Sequence, residues 1–269
     1  MLVDKFWAEA LSDVLRKGEE RIDRTGVGTI SRFGSISGST SVNCGNQIPI
    51  ITLKKVHFKS VLAELIFFIK GKTNVDFLHK YNCTIWDEFQ FENGELGPIY
   101  GKIWRDFNGI DQLANVIESI KNDPFGRRHV VTAWKVDELD KMALPPCHMF
   151  FQFYVSKHGY LDIFFYMRSC DLFLGFPFNV TSYALLLMIV AKLTGYTAGN
   201  VHWHLGDAHI YKNHIDQVKI ALSRTMVSPQ NAQIVFADKV YNSIDDFEVE
   251  DIELINYQSH PAIKAPIAI

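Results

Sequence analysis

The sequence predicts an α/β fold of the α+β type, in which strands joined directly to strands build a mixed sheet and helices flank it. Two β-rich runs, His148 to Val155 and Tyr160 to Met167, are separated only by Ser156-Lys-His-Gly159, the spacing of a hairpin rather than of a βαβ crossover. Segments of helical period are scattered along the chain instead of alternating regularly with strands. At 269 residues and 48% hydrophobic the chain has enough apolar material for a large core, and no composition shift divides it, so a single domain over 1–269 is expected.

Phe6 to Lys17 sets apolar side chains at Phe6, Leu11, Val14 and Leu15 among charges, an amphipathic helix. Arg24-Thr-Gly-Val-Gly-Thr29 follows, its two glycines flanked by hydroxyls. It reads either as a turn into a strand near Thr29 to Phe33 or as a cradle for an anion. Pro49 to Leu53 reads as a short buried strand. Phe58 to Lys70 is a helix, apolar at Val61, Leu62, Leu65, Ile66, Phe68 and Ile69 and stopped by Gly71. Glu64 lies inside it, either on an exposed stripe or buried with a raised pKa.

Asn93-Gly94 and Gly97-Pro98 punctuate a loop before Tyr100-Gly-Lys-Ile-Trp104. Ile110 to Lys121 is an amphipathic helix. Arg127 and Arg128, a pair that suits a solvated rim, precede an alternating run from His129 to Trp134. Beyond the hairpin, 172–179 lead into a buried helix over Tyr183 to Leu193, shorter than the roughly 20 residues that span a bilayer. Val201 to Tyr211 is a further strand-like stretch containing three histidines.

Lysine plus arginine number 27 and aspartate plus glutamate 30, a formal charge of -3 that speaks against a protein living on nucleic acid or anionic membranes. An anion site must therefore be local. Cys44, Cys83, Cys147 and Cys170 form no C-x-x-C pair and suit free thiols in a reducing compartment. The N-terminus lacks the basic start and apolar run of a signal peptide, so a cytoplasmic location is expected. His202 and His204 lack a third ligand at suitable spacing, and no metal is expected.

The chemistry concentrates at strand ends. Ala143-Leu-Pro-Pro-Cys147-His148 delivers a thiol at the mouth of a strand behind two prolines that fix the approaching backbone. Arg168, Ser169 and Asp171 close the next strand, and Asn179, His209 and Tyr211 follow. A thiol is nucleophilic as thiolate, and neighbouring guanidinium groups are expected to lower its pKa. Several arginines offer the bidentate forks that suit a phosphate. An asparagine amide pairs donor with acceptor, the pattern that reads a uracil imide edge. Together they point to a small, phosphorylated, electrophilic substrate. A cysteine hydrolase using Cys147 and His148 is disfavoured, because adjacent strand residues point to opposite faces.

Arg24-Thr-Gly-Val-Gly-Thr, Thr84-Ile-Trp-Asp-Glu88, Leu96-Gly-Pro-Ile-Tyr-Gly101, Arg127-Arg128, Ala143-Leu-Pro-Pro-Cys-His148, Arg168-Ser-Cys-Asp171, Leu174-Gly-Phe-Pro-Phe-Asn179 and Gly206-Asp-Ala-His-Ile-Tyr211 occur in one order. That ordered set resembles the thymidylate synthase family, from about residue 5 to the closing His260-Pro-Ala-Ile-Lys-Ala-Pro-Ile-Ala-Ile269. The resemblance implies a large mixed β-sheet packed back to back in a homodimer. It also implies methylation of dUMP to dTMP, with 5,10-methylenetetrahydrofolate supplying both the one-carbon unit and the hydride.

Roles follow by position. Cys147 matches the nucleophile that adds to C6 of the pyrimidine, and Arg24, Arg168 and Ser169 match phosphate ligands. Arg127 and Arg128 match the pair that reaches the partner's site. Asn179 matches the base-reading amide, and His209 and Tyr211 match contacts to the deoxyribose hydroxyl. Glu64 matches the carboxylate that organises water and proton transfer, with Tyr100 and His148 in the same polar network. Trp86, Asp171 and Gly175 match the folate site, Asp171 also bordering the substrate. Ile269 matches a tail that closes over the folate and excludes water.

Four positions depart from the family pattern: Met167 where glutamine is usual, Phe176 where an aliphatic is common, His204 where threonine is common and Phe89 where a second tryptophan is common. Related hydroxymethylases add water instead of hydride in the last step, and phage deoxycytidylate hydroxymethylases resemble the chain at Met167-Arg168-Ser169 and Gly175-Phe176. Those carry aspartate for the asparagine, so Asn179 favours uracil. A dUMP hydroxymethylase is the alternative within the family. A catalytically idle nucleotide- or RNA-binding relative is the alternative outside enzymology; retention of Cys147 with its arginines speaks against it.

Overall fold

The computed structural model describes residues 2–42, 46–227 and 231–268. Helix α1 (Val3–Lys17) leads into β1 (Glu19–Arg21) and the long β2 (Thr29–Ser41). Helices α2 (Phe58–Ile69), α3 (Asp76–His79), α4 (Tyr100–Arg105) and α5 (Gln112–Asn122) come next. Then β3 (Val130–Thr132), β4 (His148–Val155) and β5 (Tyr160–Asp171) precede α6 (Gly175–Thr194) and β6 (Thr197–Tyr211). Helix α7 (Ile215–Leu222) and a separate two-stranded ribbon of β7 (Gln233–Phe236) and β8 (Ile252–Ile255) complete the order.

The six-stranded sheet runs β1-β2-β6-β5-β4-β3 and is mixed: β5 and β6 pair in parallel, and every other neighbour is antiparallel. The hairpin between β4 and β5 forms where its sequence predicts, with Ser156 N–H donating to Tyr160 O at 2.8 Å. The parallel pair needs a crossover, and α6 provides it.

Alternation assigns the faces of the sheet. Phe151, Phe153, Leu161, Ile163, Phe165, Val201 and Trp203 are buried on one face, where Phe6 of α1 and Phe176 of α6 both meet the Trp203 ring. On the opposite face Phe150, Phe164, Tyr166, His202 and His204 are half-buried and Tyr154 is 60% exposed. Thus the helices cover one side of the sheet.

Two expectations are corrected, and of the two readings open for Glu64 the buried one holds. Pro49 to Leu53 is buried but is not a strand, because its backbone is satisfied elsewhere: the Asp4 carboxylate takes the N–H groups of Thr52 and Leu53, and Thr181 Oγ1 and the Arg224 guanidinium reach the carbonyls of Pro49 and Leu53. The buried helix begins eight residues before Tyr183, giving α6 20 residues. It is therefore long and apolar enough to cross a membrane, but it packs inside the core, with Leu185, Leu186, Leu187, Ile189 and Val190 fully buried. Finally, Glu64 is not on an exposed stripe: α2 is buried around nearly its whole circumference and Glu64 is 8% exposed.

Candidate active site

The thiol of Cys147 sits where β4 begins, and four hydrogen bonds fix the backbone of residues 145–147. Cys147 N–H donates to Tyr100 Oη at 2.8 Å, and its carbonyl accepts from Arg168 N–H of β5 at 2.8 Å. The Arg168 side chain donates through Nε to Pro146 O at 2.8 Å and through Nη2 to Pro145 O at 2.9 Å. Arg168 also lies over the Trp134 ring, 5.3 Å from its centroid. The two prolines have no N–H to donate, so their carbonyls are the only backbone hydrogen-bonding groups they offer, and Arg168 takes both.

Burial pushes the Cys147 thiol above the ordinary cysteine value, outweighing the opposing pull of Arg168 and Arg24. This corrects the expectation of a thiol lowered by its arginines: they offset desolvation without reversing it. The thiol is the resting form at neutral pH, and its proton must leave when the sulfur reacts.

Beside Cys147 lies a layer of aromatic and titratable groups. Tyr100 stacks on His148 with ring centroids 4.1 Å apart, and His148 Nδ1 shares a 2.8 Å hydrogen bond with Tyr183 Oη of α6. Desolvation holds His148 down to about 3, so the imidazole is neutral at working pH. Trp86 Nε1 donates to Glu64 Oε1 at 2.8 Å, and Phe68 of α2 touches Trp86, Tyr100 and His148. Burial raises Glu64 to about 7 even though the indole N–H favours its ionised form. A carboxyl poised there exchanges a proton readily near neutral pH. Tyr183 carried no sequence signal, since it falls on the apolar stripe of a core helix.

Ser169 and Asp171 extend the same strand end and register with Asp207 and His209 of β6. Asp171 Oδ1 accepts from Phe173 N–H and Leu174 N–H at 2.8 and 3.1 Å, turning the chain into α6. Burial disfavours the charged form of His209, but Asp207 next to it wins and the net shift is upward. Tyr211 packs edge-on against His209 at 5.0 Å and is raised to about 12, by burial first and Asp171 second. Asn179, on the first turns of α6, has no side-chain hydrogen bond among the described residues. Its amide neighbours Gly175, where an added Cβ would stand 3.6 Å from both Asn179 Oδ1 and Asp171 Cβ. Lys54, which the sequence does not flag, is buried, rests over Phe173 at 4.1 Å and is lowered to about 8 by desolvation, partly offset by Asp171.

The glycine loop resolves in favour of the turn. The Asp23 carboxylate accepts from Thr25 N–H, Thr25 Oγ1 and Gly28 N–H at 3.1, 2.7 and 2.8 Å, so those amides are already taken. Any anion-binding role falls on the exposed Arg24 side chain, whose charge is felt at Cys147. Arg127 and Arg128 do not join the cluster. They are exposed on the loop before β3, line a surface hollow with Asp123, Phe125 and Gly126, and form no ion pair among the described residues. Ile269 lies outside the described residues. Cys83, Cys147 and Cys170 are free thiols.

A half-buried, clamped thiol with guanidinium neighbours, a near-neutral carboxyl and an unengaged amide suits covalent addition to an electron-poor ring. The family model described as thymidylate synthase matches residues 5–269.

Proposed function

The chain belongs to the thymidylate synthase family, and from that premise we propose that it methylates dUMP to dTMP with 5,10-methylenetetrahydrofolate. The observation that carries the reading is Cys147, held between Tyr100 and Arg168 at the strand mouth, with Glu64 at about 7 in the adjoining layer.

Arg24, Arg168 and Ser169 hold the phosphate of dUMP, and His209 and Tyr211 take the deoxyribose hydroxyl. Asn179 reads the uracil imide, its amide free to donate to one edge atom and accept from the next. Cys147 Sγ adds to C6 as its proton leaves, and the electron pair of the C5–C6 double bond moves toward C5 and the O4 carbonyl. Glu64, able to hold or release a proton near neutral pH, serves that side of the ring through its bond to Trp86 and the water it orders. His148 stays neutral and positions Tyr100 and Tyr183. When the new carbon is in place, the proton at C5 is removed, the sulfur departs and the ring double bond re-forms.

The folate supplies the one-carbon unit and the hydride. The residues present fit such a group: a side chain at Gly175 would fill the space between Asn179 and Asp171, and the Trp86 indole, with Phe89 edge-on at 5.8 Å, gives an aromatic wall. Trp86, Asp171 and Gly175 would hold it, and the tail ending at Ile269 would cover it. The half-buried aromatic face of the sheet supports a back-to-back homodimer, in which the exposed Arg127 and Arg128 reach the partner's phosphate.

Phe89 favours one second reading, hydration instead of hydride transfer, because a phenyl ring leaves more room for water on this wall than an indole does. The test is to incubate the protein with dUMP and methylenetetrahydrofolate and weigh the nucleotide. A methyl product with dihydrofolate is expected; a hydroxymethyl product with tetrahydrofolate would establish the second reading, and no product would leave only a binding role.

A further inference from the structure

His214, immediately before α7, is fully buried and no step above uses it. Its Nε2 lies 2.7 Å from Pro266 O. A carbonyl only accepts, so Nε2 carries the proton in this bond. Nδ1 is buried without a hydrogen-bond partner among the described residues and stands 4.0 Å from Asp171 Oδ1. The ring also packs against Phe173 and Tyr211, each 5.6 Å away. One imidazole therefore touches the strand end bearing Asp171, the ring expected on deoxyribose and the C-terminal segment.

That segment is tied down at successive points. His260 N–H donates to Thr52 O at 2.9 Å and His260 Nε2 to Thr225 O at 2.7 Å, while Arg224 Nη1 donates to Pro261 O at 2.8 Å. The His214 bond to Pro266 is the last side-chain tie along the described tail, and Ile267 beyond it is 42% exposed.

We propose that His214 is the positioning residue that anchors the C-terminal segment at Pro266 to the Asp171 end of the site and sets the pivot from which the last residues fold over the folate. The proposal rests on the function given above for that site. His214 touches no reacting atom; it acts through Pro266 and Asp171.

Glutamine and asparagine separate the two ring nitrogens, because a Gln amide reaches the place of Nε2 and an Asn amide only that of Nδ1. Trypsin cleavage after the exposed Lys264, without ligands, is expected to quicken about tenfold in His214→Asn and to stay near wild type in His214→Gln, the factor set by one lost hydrogen bond. His214→Leu, which has no donor, is expected to match His214→Asn, so the anchor is judged on whichever of the two folds. Cleavage after Lys219 of α7 serves as the control for general loosening. In turnover, His214→Asn should raise the folate KM about tenfold, by the same factor, while the dUMP KM stays within about twofold. Cleavage after Lys264 unchanged in His214→Asn, equal acceleration in His214→Gln, or a dUMP KM rising as far as the folate KM would each overturn the anchor. A wild-type protein that turns over no dUMP would count against the proposed function alone, since the cleavage measurement needs no substrate.

Discussion

Glu64 shows how one buried carboxyl trades stability for chemistry. Its folded pKa of about 7 lies above the ordinary value of 4.5. Below pH 4.5 the carboxyl is protonated in folded and unfolded chains alike; between 4.5 and 7 the unfolded chain releases its proton first, so stability falls as pH rises. The shift corresponds to roughly 3 kcal/mol at pH 8. Glu64→Gln keeps an oxygen for Trp86 Nε1 and carries no charge. The variant should gain melting temperature relative to wild type at pH 8, lose that advantage near pH 4.5, and fall by a factor of about 100 or more in kcat, the usual worth of a positioned proton-transfer group. Equal melting curves across that range would mean that Glu64 is not desolvated in solution. At Cys147 the signs run the other way: the arginines offset a raised pKa, so removing one raises it further. Arg24→Ala should slow iodoacetamide alkylation of Cys147 a few-fold at pH 8 and converge with wild type at higher pH, where both thiols ionise. A pH-independent difference would point to lost access rather than lost charge.

Placement of these groups depends on close approach between elements. α4 lies against α2 so tightly that a Cβ at Gly101 would clash with Phe68 O. That contact aims Tyr100, whose own φ of 21° is strained, at the backbone of Cys147. Gly101→Ala should therefore destabilise by about 1–3 kcal/mol as an overpacking change and lower kcat, measured by urea unfolding and turnover; full stability with normal turnover would show that the helices part at no cost. Sequence period alone gave no hint of this approach. The strands β4, β5 and β6 and the helices α1, α2 and α5 were legible because each has a run of apolar residues at its own period. The strands β1, β7 and β8 span three or four residues, too short to show a period. Pro49 to Leu53 looked like a strand because burial in a non-regular segment leaves the same apolar run. For the site, Cys147, Arg168 and Asp171 stood out as unusual residues at strand ends, whereas Tyr183, Lys54 and His214 take their meaning from contacts across 35, 119 and 52 residues of chain.

At the scale of the whole molecule, two features have no use within one chain. The helix-free face of the sheet carries Phe150 with Phe164 and Tyr166 in ring contact at 6.2 and 5.8 Å, and an apolar face of this kind is stable when a second copy covers it. The loop before β3 exposes Arg127 and Arg128 with their guanidinium groups unpaired among the described residues. If both features serve a dimer with shared sites, defects in the two subunits should complement. A Cys147→Ser chain keeps its arginines but has no nucleophile; an Arg127→Ala/Arg128→Ala chain keeps its nucleophile but gives nothing to its partner. Each should be nearly inactive alone. Unfolded together and refolded in equal amounts, about half the dimers are mixed, and each mixed dimer holds one complete site, so the mixture should recover about a quarter of wild-type activity. Recovery no greater than the two separate preparations would mean that the arginines act on their own chain, and the exposed pair before β3 would need another explanation.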